Sequence, residues 1–114
     1  MKFNSELSSE FQSVSTNSPE ALRYFITGGR FNMVLDYPTA KYWYLRAYEI
    51  DTNYYDAIIA LSWAYQNTGM YEEAKKWFLK VYEKRDKMML NQSQQIFLKR
   101  GYARYFGEPN ENIQ

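Results

Sequence analysis

The sequence repeats itself at a displacement of 34 residues. Residues 40–49 fall on residues 74–83 with six of ten positions identical: Ala40/Ala74, Lys41/Lys75, Trp43/Trp77, Leu45/Leu79, Tyr48/Tyr82 and Glu49/Glu83. Tyr37 and Tyr71 match at the same displacement, and Tyr44 faces Phe78. A fixed period of this length constrains the fold more than any local motif. Each repeat is one supersecondary unit that cannot bury its apolar face alone, and stacked neighbours make the core together. The punctuation between apolar runs is that of helices. Ser18-Pro19-Glu20 reads as a helix start, with Ser18 as cap, Pro19 in the first turn and Glu20 complementing the helix dipole. Asp36-Tyr37-Pro38 opens a second helix in the same way, and Thr68-Gly69 ends the third, since glycine accepts the left-handed conformation at a helix C-terminus.

With units numbered 21–54 and 55–88, small residues recur at positions 8 and 20: Gly28 and Ala40 in the first, Ser62 and Ala74 in the second. Large residues recur at other fixed positions: Tyr24, Phe31 and Tyr44, then Ile58, Leu61, Tyr65 and Phe78. On these residues, positions 19–88 resemble the tetratricopeptide repeat family. The joint Ala47-Tyr48-Glu49-Ile50-Asp51-Thr52-Asn53-Tyr54 is similar to the family's turn between units, with Thr52 in place of its proline. Thr27 and Asp86 also depart from the family pattern. A third, incomplete unit follows. Phe97-Leu98-Lys99-Arg100-Gly101 echoes Phe25-Ile26-Thr27-Gly28-Gly29 after an insertion around residues 86–90, which predicts a helix over 93–106. The expected fold is therefore all-α: a helical-repeat solenoid of two units and a half-unit spanning 93–114, about five helices, in a domain covering residues 18–114. Residues 1–17 read as a flexible polar leader, although Phe3, Leu7, Phe11 and Val14 fall at the spacing of a short docking helix. The chain is expected to be a piece of a longer bacterial array. The rival reading makes 93–106 the capping helix that solenoids need.

Composition removes whole classes of chemistry. There is no Cys and no His, so disulfides, thiolate and imidazole metal sites, and nucleophile–histidine catalysis are excluded. Glu72 and Glu73 are adjacent, so on a helix they point to different sides and cannot flank one bond. Gly28-Gly29 lacks the companions of a phosphate loop. The reading is a non-enzyme without cofactor or metal. No run approaches the roughly 18–20 apolar residues of a membrane span, and the N-terminus has no apolar signal region. A cytoplasmic protein without a membrane partner is the expectation.

In the family that the repeat resembles, positions 2, 5, 9, 12 and 13 of each first helix line a concave groove. Carried over, these are Leu22, Phe25, Gly29, Asn32 and Met33, then Asp56, Ile59, Trp63, Gln66 and Asn67, then Phe97, Gly101, Arg104 and Tyr105. The resemblance thus implies a partner-binding surface of Phe25, Asn32, Met33, Ile59, Trp63, Gln66, Asn67, Phe97 and Arg104. Aromatic and amide groups of this kind suit an extended peptide or a partner helix. The competing reading has Phe25, Ile59 and Phe97 packing between units. The carboxylate clamp of chaperone-binding relatives is missing, since Phe25, Gly29 and Ala60 stand at its Lys and Asn positions.

Charge is uneven along a chain whose net charge is +1. Residues 1–74 hold five basic and nine acidic side chains, a balance of −4. Residues 75–104 hold nine basic and two acidic, a balance of +7. The basic stretch reads first as a solvated outer helix face, with Glu73 and Glu72 serving partners such as Lys76. Its alternative use is contact with acidic partners or RNA. The near-zero net charge argues against nucleic acid as the partner. The function expected is protein–protein interaction through the groove. Its rivals are the partner-sensing segment of a bacterial signalling or transcriptional regulator, which Arg85-Asp86-Lys87 and the turn after it resemble, and a self-assembly module. The helix over 93–106 carries Ile96, Phe97, Leu98, Tyr102, Ala103, Tyr105 and Phe106, apolar on more than one side, which predicts a homodimer through the C-terminal end.

Overall fold

A computed structural model describes residues 16–107. They form five α-helices: α1 Pro19–Met33, α2 Tyr37–Ile50, α3 Tyr55–Asn67, α4 Tyr71–Glu83 and α5 Gln92–Phe106. A single 3₁₀ turn, Arg85–Lys87, lies within the insertion, and no strand occurs among the described residues. Consecutive helices pack on one another along an elongated body of 53 × 31 × 23 Å. Most of the polar leader, residues 1–15, and residues 108–114 of the expected half-unit lie outside the described residues.

The helix ends follow from the local sequence. Ser18 Oγ accepts the Ala21 N–H at 3.1 Å, and Asp36 Oδ1 accepts that of Thr39 at 3.3 Å, each satisfying an amide that the first turn leaves unpaired. α5 begins with a reciprocal pair: Gln94 N–H donates to Asn91 Oδ1, and Asn91 N–H donates to Gln94 Oε1. The two turns within units share one geometry and differ in the residue that bears it. Gly69 closes the α3–α4 turn at φ +79°, and Leu35 occupies the equivalent place after α1 at φ +64°. A leucine in the left-handed region crowds its Cβ against the backbone, and the Leu35 side chain gains little in return, being 69% exposed.

The core runs through the joints between units. Ala21, Ala47, Tyr54 and Ala57 form one cluster, and Ala40, Tyr44 and Leu61 a second. Tyr55, Ile58, Ile59, Phe78, Val81 and Leu98 form a third, which ties the second helix pair to α5. The small residues sit where the helices meet. A methyl placed on Gly28 would come 2.7 Å from the Tyr44 ring and 3.2 Å from the Ala40 carbonyl oxygen. Ser62, at the same place in the second unit, donates its hydroxyl to the buried Ala74 carbonyl at 2.8 Å. In α5 the close approach is made by Gly101, where a methyl would meet the Phe78 ring at 2.5 Å. The expected match of Phe97–Gly101 to Phe25–Gly29 does not survive in the packing: it pairs buried Leu98 with exposed Ile26, and buried Gly101 with half-buried Gly29 rather than with buried Gly28.

Candidate interaction surface

Side chains of α3 and α5 meet along one face. The Trp63 ring stands edge-on to Phe97, with centroids 5.7 Å apart and planes at 64°. Farther along both helices, the Tyr105 hydroxyl donates to Gln66 Oε1 at 2.6 Å across 39 residues of sequence. The spacings place these pairs on one stripe, since Trp63 to Gln66 and Phe97 to Tyr105 span three and eight residues of their helices. Trp63 is nevertheless 54% exposed. Phe97 packs against the indole, and about half of the tryptophan faces solvent. Asn67 closes α3 with its side chain exposed, and Arg104 is exposed on α5.

The remaining predicted residues lie elsewhere or do other work. Phe25 is half-buried between the rings of Tyr44 and Tyr54, at 5.5 and 5.4 Å, and therefore packs α1 against its neighbours. Ile59 is withdrawn from the predicted surface: it is 9% exposed and belongs to the core cluster with Phe78 and Leu98, because α5 closes over that side of α3. Asn32 is half-buried near the end of α1, one residue before Met33. Met33 ends α1, 82% exposed, beside exposed Val34 and Leu35. The predicted groove residues thus divide into a contiguous set on α3 and α5 and a separate set at the end of α1.

No protein-family model, curated protein or solved structure matches this sequence. Three tyrosines, Tyr44, Tyr54 and Tyr55, are buried in the core. Burial raises the Tyr44 hydroxyl above its usual pKa, and burial with the Asp56 charge pushes Tyr55 up to about 12. Tyr54 is raised further by burial, with Asp56 and Asp51 adding to the effect, and its hydroxyl has no hydrogen-bond partner. These groups stay neutral near pH 7 and act as apolar bulk. No three acidic side chains gather as a metal site among the described residues, and no helix there is long and apolar enough to cross a membrane.

Two features were not anticipated. Arg85, Asp86 and residues 88–90 line a cavity of about 550 Å³ together with side chains of α4 and α5. The expected bare apolar side of α5 is also reduced. Leu98 is buried, Phe97, Tyr102, Tyr105 and Phe106 are half-buried, and Ile96 alone among the large apolar side chains of α5 is exposed, at 43%. Tyr102 stacks on Tyr82 at 4.4 Å, and Phe106 packs on Tyr102 at 4.9 Å, so the aromatic residues of α5 cover one another. The outward side carries Lys99, Arg100 and Arg104.

Proposed function

We propose that this chain is a tetratricopeptide-like interaction module that binds an extended peptide or a partner helix, without catalysis, on the face shared by α3 and α5. The observation that carries the reading is Trp63. A tryptophan left more than half exposed, braced edge-on by Phe97 and next to the Gln66–Tyr105 pair, supplies a large contact area already held in position. Rigid aromatic anchors lose little entropy on binding and dominate interface energies. The Gln66 and Asn67 amides, one turn along, offer donors and acceptors to a peptide backbone.

Selection of a displayed peptide library on the whole chain tests this. The enriched peptides should lose binding by at least about tenfold, about 1.4 kcal/mol, on Trp63→Ala combined with Asn67→Ala. Circular dichroism of the variant should remain helical, since both side chains are exposed. Peptides that bind the double variant as well as the parent would place recognition on another face.

A further inference from the structure

The cavity beneath the inserted segment has an apolar floor and a cationic rim. Tyr82, Met88, Leu90 and Leu98 supply the floor, and Arg85 and Lys99 stand at the rim, from the 3₁₀ turn and from α5. Arg85 is held in place: its guanidinium lies 4.0 Å from the Tyr82 ring centroid, and Nη1 donates to the Tyr82 carbonyl at 2.7 Å. One side of the fork is thereby used, and the planar group is fixed at the mouth with further N–H donors available. One carboxylate, Asp86, shares the lining, so the charge at the mouth stays positive. Residues 75–104 carry nine cationic and two acidic side chains, and the single ion pair within 4.0 Å among the described residues is Lys76–Glu73 at 3.5 Å.

We propose that this cavity is a second binding site, distinct from the α3–α5 face, for an acidic peptide segment that inserts one apolar side chain. The apolar side chain occupies the Met88–Leu90–Leu98 floor, whose methionine adapts to differing shapes. Flanking carboxylates meet Arg85, which suits bidentate pairing, and Lys99. Single-stranded nucleic acid fits the same charge less well, because it needs open aromatic faces for its bases. Here Tyr82 is covered by Arg85 and Tyr102, and Trp77 meets the Tyr48 ring edge-on at 4.9 Å, with Lys80 5.4 Å from its centroid.

The test is fluorescence anisotropy of the full chain with four labelled probes: a peptide alternating Glu with Leu, the same peptide with Lys for Glu, an all-Glu peptide, and a single-stranded oligonucleotide. The Glu/Leu peptide should bind saturably and weaken by at least about tenfold on Arg85→Ala with Lys99→Ala. Its binding should fall as salt rises from about 0.05 to about 0.5 M, where screening shortens to a few ångströms. Trp63→Ala should leave it unchanged, which separates failure here from failure of the α3–α5 reading. Three results would overturn the proposal: no saturable binding of the Glu/Leu peptide, equal binding of the all-Glu peptide or the oligonucleotide, or indifference to the Arg85/Lys99 change. Both substituted residues are exposed, so the variants are expected to fold, with circular dichroism as the check.

Discussion

Gly28 and Gly29 are neighbours in α1, yet alanine should stabilise the fold at Gly29 and not at Gly28. Both lie inside the helix, where glycine is less favourable than alanine by about 1 kcal/mol. At Gly29 nothing lies within 4 Å of the added methyl, so Gly29→Ala should stabilise by most of that amount. At Gly28 the methyl would stand 2.7 Å from two atoms of the Tyr44 ring. That is about 1 Å inside ordinary carbon contact. The ring cannot swing away freely: Tyr44 is 4% exposed and packs on Phe25 and Leu61. Overpacking of this kind costs roughly 1–3 kcal/mol, and the helix-propensity gain offsets part of it. The two variants should therefore differ by about 1–3 kcal/mol, with the parent between them or level with Gly28→Ala. Urea unfolding followed by circular dichroism at unchanged slope reads the difference. If Gly28→Ala is as stable as Gly29→Ala, the close contact between α1 and α2 is not formed as described.

Three further outcomes follow from the same packing. Leu35→Gly should raise stability by about 0.5–1 kcal/mol, because relief of the left-handed strain exceeds the added unfolded-state entropy and little burial is lost; a fall in the urea midpoint would contradict this. Tyr54→Phe removes a fully buried hydroxyl that has no partner and should stabilise by about 1 kcal/mol, whereas a loss of that size would mean the hydroxyl is hydrogen-bonded. Between about pH 10 and 12 the chain should lose stability. Tyr55 in the folded state ionises only near 12, so there the unfolded chain, with tyrosine near its ordinary value of about 10, binds fewer protons. Its contribution is complete below the unfolded value and is lost as pH rises through the folded one. Tyrosinate absorbance should show a late class that ionises together with unfolding, and a single transition near the ordinary value would refute it.

The helix pairs were legible because their signals are local. Ser18 and Asp36 cap, Gly69 turns, and the apolar spacing of 93–106 falls within one residue of α5. Small residues at a 34-residue repeat, Ala40 and Ala74, mark the close contacts because few other residues fit there, and both are wholly buried. What stayed hidden depends on how one helix is rotated against another. Ile59 and Trp63 lie four residues apart on α3, yet one is covered and the other is open, because α5 arrives over only part of that face. The Tyr105–Gln66 bond joins side chains 39 residues apart and leaves no trace in spacing. Leu35 was unreadable for another reason: a position that favours glycine holds leucine, and only the backbone angle reveals the conflict. The Met33-Val34-Leu35 run could have signalled it, since the second unit has Asn67-Thr68-Gly69 there.

The central claim is that partners are recognised on the face of Trp63, Gln66, Phe97 and Tyr105. Nuclear magnetic resonance of the labelled chain, titrated with a peptide selected on it, tests that claim most directly. The account predicts that the largest shifts centre on the Trp63 indole N–H and the Gln66 and Asn67 side-chain amides, with smaller effects on Phe97 and Tyr105. Shifts that leave the Trp63 indole unmoved and gather at the Met33–Leu35 turn would contradict it.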